Sequence, residues 1–197
     1  MENTIINETA NFIVIPTIGQ FIEGWLLIIS KYHQISSICH SNSELTELED
    51  LIDSTRKIIE LNYGSTIIFE HGPAMDSKIN GGCCIDHTHI HIAPYSNKLV
   101  FRSNIGHKSI KINNLAEIKK NVSPNQGYLL WGFPSTDEYY NLTILNSSIP
   151  RQYLRKVLAA SCDMQDFWNW REYPFYLNIY NTIKRLSFEK TNIASAK

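Results

Sequence analysis

The chain has 197 residues, 43% hydrophobic and 19% charged, enough for one globular domain with a sizeable core and a helical addition. Its formal net charge of -1 gives no bulk attraction to nucleic acid or to an anionic membrane, so neither is expected as a partner and any phosphate must be held by a local site. Cys39, Cys83, Cys84 and Cys162 form no CxxC pair, which excludes zinc-finger spacing and reads as reduced thiols in a cytoplasmic protein.

Met1 to Thr4 lack a basic start and a long apolar run, so no signal peptide is expected. Phe12 to Ile15, stopped by Pro16, reads as a strand; Trp25 to Ile29 reads as its hairpin partner, too short to span a bilayer. A loop with Gly19 and Gly24 joins them. Leu48, Leu51, Ile52, Thr55, Ile58 and Ile59 recur at helical spacing, which predicts a helix over Glu44 to Leu61. Ser41 with Glu44, or Thr46 with Glu49, supplies a capping box, and Gly64 the stop. Ser65 to Glu70 is a β-branched strand, residues 71–82 a loop rich in glycine and proline, and Ile85 to Ala93 the next strand, ended by Pro94. Leu99 to Arg102 is expected as an edge strand and Ser109 to Asn121 as a short helix. Tyr128 to Phe133 and Tyr139 to Leu145 read as strands, followed by helices from Pro150 to about Ser161 and from Pro174 to Leu186. The irregular mixture points to an α+β fold with helices on one face of the sheet.

The chemistry concentrates in His87-Thr88-His89-Ile90-His91. In a strand, alternate side chains share a face, so the three imidazoles form a row while Thr88, Ile90 and Ile92 point into a core. A row of imidazoles costs desolvation and adds nothing to packing, which argues against a purely structural use. Two readings remain. The row binds a metal, with His33, His71 and Glu70 as further ligands. Alternatively, an imidazole attacks phosphorus and forms a covalent intermediate while its neighbours neutralise the phosphate oxygens. Spacing alone does not decide between them.

The run His87 to Ala93 resembles the His-φ-His-φ-His-φ-φ motif (φ apolar) of the histidine triad (HIT) family, with Thr88 at the first apolar position. Asn11 to Pro16 resembles the family's first core strand, Glu23 to His33 its G-H-x-L-I-x-P-K-x-H segment, and Phe69 to Gly72 the place of a ribose- and phosphate-facing loop. The resemblance covers residues 5–95. The stretches Arg151 to Arg155 and Trp168 to Pro174 resemble, more weakly, C-terminal extensions of longer bacterial members.

The resemblance implies a HIT-like antiparallel sheet of about five strands with a packed helix and a helical C-terminal extension. It implies a catalytic domain over 1–110 and an extension over 111–197 packed on that domain. It makes His89 the nucleophile toward an α-phosphate, His91 a phosphate contact that supports the charged intermediate, and His87 the residue that orients the row. Trp25, His33, Glu70, His71, Gly82 and Cys83 become candidate substrate contacts, with backbone amides around Gly81, Gly82 and Cys83 cradling the phosphate. The implied partner is a nucleotide or dinucleotide substrate, with no cofactor and no metal. The implied activity is hydrolysis or nucleotidyl transfer from a phosphate ester, phosphoramidate or dinucleoside polyphosphate. The alternative is a nucleotide-binding module with little catalysis. The oligomeric state stays open between a homodimer across the sheets and a form in which the tail blocks that contact.

Two departures stand out. Trp25 takes the place of a fourth histidine found in many members, and the loop from Gly72 to Asn80 is longer than in small members. Elsewhere the plainer readings are favoured. His40 and His107 read as surface residues, and Cys83 and Cys84 as fillers. Arg151, Arg155 and Lys156 read as a solvated basic face, and Trp168 and Trp170 as anchors of the tail.

Overall fold

A computed structural model describes residues 4–74, 87–147 and 149–195. Gly81, Gly82, Cys83 and Cys84, and the start of the strand expected from Ile85, lie outside the described residues. The fold is mixed α and β. Among the described residues it has eight strands and five α-helices: β1 (Asn7–Glu8), β2 (Phe12–Pro16), β3 (Leu26–Ser30), α1 (Asn42–Tyr63), β4 (Thr66–Gly72), β5 (His89–Pro94), α2 (Lys98–Asn104), β6 (Ile110–Ile112), α3 (Ile118–Asn121), β7 (Gly127–Gly132), β8 (Tyr140–Leu145), α4 (Tyr153–Ser161) and α5 (Tyr176–Ser195). The strands form one open sheet in the order β1-β2-β3-β5-β4-β7-β8-β6, each neighbouring pair antiparallel.

The sheet therefore has eight strands rather than five. Beyond β2 to β5 the sheet gains β1 at one edge, paired with β2, and β7, β8 and β6 at the other, where β7 lies against β4. The segment expected as an edge strand at Leu99 to Arg102 is instead α2. Asn97 accepts a hydrogen bond from Val100 N at its start, and Phe101 alone is buried while Leu99 and Val100 face out. The segment expected as one helix from Ser109 to Asn121 begins as β6, because Ile110–Ile112 pairs with β8, and turns helical only after Asn114.

The helices cover both faces of the sheet, not one. On the first face, Leu45, Leu48, Ile52 and Ile59 of α1 pack on Val14, Leu26, Ile28, Ile68, Ile90 and Ile92. On the second, Phe101 of α2 and Leu154, Val157 and Leu158 of α4 pack on Ile67, Phe69, Ala93, Leu129 and Trp131. A sheet covered on both sides needs apolar residues at both parities, which explains why β3 and β4 read as continuous apolar runs. The tail is thus a cover over half the core.

α1 begins in the expected capping box: Ser41 Oγ accepts from Glu44 N at 3.2 Å, and Glu44 Oε2 accepts from Ser41 N at 2.7 Å. It ends at Gly64, whose φ of 85° favours glycine. Replacing Ser41 by Ala is expected to cost about 1 kcal/mol by removing one half of this exchange. Urea denaturation checks this, and an unchanged midpoint would mean that the cap adds nothing to the folded chain.

Candidate active site

β5 lies in the middle of the sheet, between β3 and β4. Leu27 and Phe69 stand opposite His91, and Ile29 stands opposite His89. Ile90 and Ile92 enter the α1 core, so alternation turns His89 and His91 toward the second face. His89 is 6% exposed and His91 9%. The regular strand starts at His89, and His87 lies just before it.

Each imidazole of the row has an identified bond. His87 Nδ1 donates to the Ser30 carbonyl at 2.8 Å, and His89 Nδ1 donates to the His87 carbonyl at 2.9 Å. A carbonyl oxygen only accepts, so Nδ1 of His89 carries its hydrogen and the lone pair of the neutral ring is on Nε2. His91 Nδ1 instead accepts from the Trp25 indole N–H at 3.2 Å. Its ring stacks on Phe69, with centroids 4.6 Å apart and planes inclined by 16°. Burial holds the pKa of His89 below the ordinary histidine value, opposed by the bond to His87 and by the Glu70 charge. Burial, then the charges of His89 and Arg155, push His91 much further down.

The other sequence candidates divide between the faces. His71 follows Phe69 on the second face, where burial and the charge of His89 push its pKa down to about 4. It belongs to β4, not to a loop. Glu70 points to the opposite face and is buried, accepting from Ser37 N at 2.8 Å and from the Tyr128 hydroxyl at 2.8 Å. Burial raises its pKa against those two bonds. His33 is exposed and its ring lies 4.4 Å from that of His87. Trp25 is wholly buried and reaches the row through His91. Gly82 and Cys83 lie outside the described residues.

Two surface expectations are corrected. His40 is 1% exposed, and its Nε2 bonds to Thr88 Oγ1 at 2.8 Å, while Thr88 Oγ1 donates to the Gln34 carbonyl at 2.7 Å. This is why a hydroxyl is tolerated at the first apolar position of the motif. Arg155 is 4% exposed, with its guanidinium 4.3 Å from the centre of the Trp25 ring and bonded to the Gly19 carbonyl and, at 3.2 Å, to the Trp168 carbonyl. The signal for Arg155 was present: it shares a helical stripe with Leu158 and Ala159, both buried. Lys156 lies over the half-buried Trp168 ring at 4.0 Å, and Arg151 is exposed. Ser30 and Phe69, which act through a backbone carbonyl and a ring face, carry no sequence signal of that use.

Gly24 positions Trp25. It adopts a φ of 90°, a Cβ there would lie 2.6 Å from the Tyr63 ring, and its N–H donates to Thr182 Oγ1 at 2.8 Å. Thr182 also donates to Gln20 Oε1 at 2.6 Å, and Asn178 Nδ2 to the Gln20 carbonyl at 2.8 Å. Helix α5 thereby fixes the turn from which Trp25 projects. Among the described residues, no group of three or more His, Cys, Asp or Glu side chains is placed to hold a metal ion, and no helix is long and apolar enough to cross a membrane.

No family model and no curated protein matches the chain. A crystal structure of a DUF4931 family protein from Bacillus cereus ATCC 10987 is similar to it with a TM-score of 0.49 at 10% sequence identity, over 84% of this chain and 100% of that one. The functional reading therefore rests on the residues of this chain.

The depressed pKa of His71 has a consequence for stability. The unfolded ring titrates near 6.5 and the folded one near 4, so between those values only the unfolded state takes the proton. The contribution is full above 6.5 and lost as the pH falls toward 4, by up to about 1.4 kcal/mol per pH unit. Glu70, whose pKa is raised, drifts in the opposite sense, and comparison with His71→Phe cancels it. Urea denaturation should show the wild type losing about 2 kcal/mol more than His71→Phe between pH 7 and pH 5. Parallel profiles would contradict a neutral, buried His71.

Proposed function

We propose that the chain is a nucleotide hydrolase or nucleotidyl transferase, acting on a nucleoside phosphate ester, phosphoramidate or dinucleoside polyphosphate with His89 as the nucleophile. The observation that carries the reading is the bond from His89 Nδ1 to the His87 carbonyl. It places the lone pair of a neutral imidazole on Nε2, in a row that resembles the histidine triad motif. Burial favours the neutral, nucleophilic form of this ring.

The chemistry follows from that lone pair. His89 Nε2 forms a bond to the α-phosphorus as the bond to the leaving group breaks, and the leaving group departs with the electron pair. A phosphate leaves as the anion; an alcohol or an amine takes a proton from water as it leaves. The phosphorylated ring is cationic, and the His87 carbonyl that accepts from its Nδ1–H stabilises it. Water, or another hydroxyl acceptor, then attacks phosphorus, loses its proton to solvent and returns the pair to Nε2.

One observation favours a second reading. Trp25 stands where many triad members carry a fourth histidine, and its indole occupies His91 Nδ1. A module that holds a nucleotide without turning it over would tolerate that exchange. Adenosine and guanosine phosphoramidates and dinucleoside polyphosphates separate the two. The wild type is expected to release nucleoside monophosphate from at least one of them, and His89→Ala to lower that release by about a thousandfold or more with unchanged circular dichroism. Undiminished release from the variant sinks the nucleophile assignment; binding without product across the whole panel supports the module.

A further inference from the structure

Trp25 has no exposed surface, and its N–H meets one atom of the row, His91 Nδ1, at 3.2 Å. An indole nitrogen donates and cannot accept. A neutral His91 must therefore carry its hydrogen on Nε2. The neighbouring His89 is held the other way, with its hydrogen on Nδ1. Two rings whose centroids lie 5.6 Å apart are thus fixed in opposite tautomers: one holds a lone pair on Nε2, the other an N–H.

The surroundings of Trp25 keep that donor in place. Phe21 meets its ring edge-on at 5.1 Å, and Phe69 packs against both Trp25, at 5.8 Å, and His91, at 4.6 Å. Over the indole lies the guanidinium of Arg155, from α4 of the tail, 4.3 Å from the ring centre. A cation over an indole face draws on its π density and strengthens the N–H as a donor. It also opposes a second proton on His91.

We propose that Trp25 is a positioning residue that, backed by Arg155 from the tail, locks His91 as the Nε2–H tautomer, so that His91 donates a hydrogen bond to a phosphate oxygen while His89 attacks. His91 transfers no proton in this role; its N–H meets the charge that grows on the oxygen as phosphorus becomes five-coordinate. The phosphate role rests on the function proposed above, whereas the tautomer is a property of the folded chain alone. The tail helix then belongs to the site.

Long-range proton–nitrogen correlation spectra of the full chain, labelled with 15N in histidine, test this at pH 7. The wild type is expected to show His91 protonated on Nε2 and bare on Nδ1, and His89 with the reverse pattern. Trp25→Phe keeps an aromatic ring and removes the donor; His91 should then become a mixture of tautomers, and turnover should fall roughly tenfold or more. An unaltered His91 pattern in folded Trp25→Phe overturns the positioning role. If that variant does not fold, the wild-type spectrum still decides, because His91 protonated on Nδ1 overturns the lock. The expected wild-type pattern in a chain that turns over none of the nucleotide compounds would overturn the functional reading and leave the lock standing.

Discussion

An imidazole shut away from water must spend its ring nitrogens on hydrogen bonds, and β5 shuts away two of them. His89 finds a backbone carbonyl, and His91 finds an indole N–H. The carbonyl accepts and the indole donates, so the chemistry of each partner decides which nitrogen of each ring keeps its proton. Everything proposed for the site descends from that pair of choices. A nucleophile needs a lone pair on the nitrogen away from the carbonyl, and a hydrogen-bond donor needs its proton on the nitrogen away from the indole.

The same constraint gives the second half of the chain a purpose. Trp25 projects from the turn that joins β2 to β3. Gln20 Nε2 donates to its carbonyl at 3.4 Å, Thr182 holds the preceding Gly24, Asn178 holds the Gln20 carbonyl, Phe21 and Phe69 meet its ring, and Arg155 lies over its face. Three of these six, Thr182, Asn178 and Arg155, come from α4 and α5. The remaining core on that face is closed by Leu154, Val157 and Leu158. Packing of the tail and electrostatics of the row are therefore one arrangement, and a change in α4 is felt at His91 through a single aromatic ring.

Much of this was legible in the residues. Strand alternation gave the shared face of His89 and His91, Pro16 and Pro94 ended their strands, and Ser41, Glu44 and Gly64 bounded α1. Other features were not legible, each for a physical reason. Leu99 to Arg102 carries strand-like residues, but Asn97 caps a helix there and only Phe101 finds a core. Ile110–Ile112 is too short to announce a strand and exists through its pairing with β8. His40 looks like a loop histidine until Thr88, 48 residues away, gives it a buried hydroxyl. Glu70 sits one residue from His71, yet strand alternation sends it to the opposite face, where Tyr128 and Ser37 satisfy it. Arg155 is half legible: its stripe with Leu158 and Ala159 marks a buried position, but the sequence does not show that Gly19 and Trp168 supply carbonyls to it.

The central claim is that His89 Nε2 bonds to phosphorus. Intact-mass spectrometry after a rapid acid-free quench of the chain with a nucleoside phosphoramidate, followed by peptide mapping, tests it most directly. The account predicts a mass increase equal to one nucleoside monophosphate, carried on His89 and absent from His89→Ala. Turnover of the same compound without any such adduct, or an adduct that maps to His87, His91 or a residue outside the row, would contradict it.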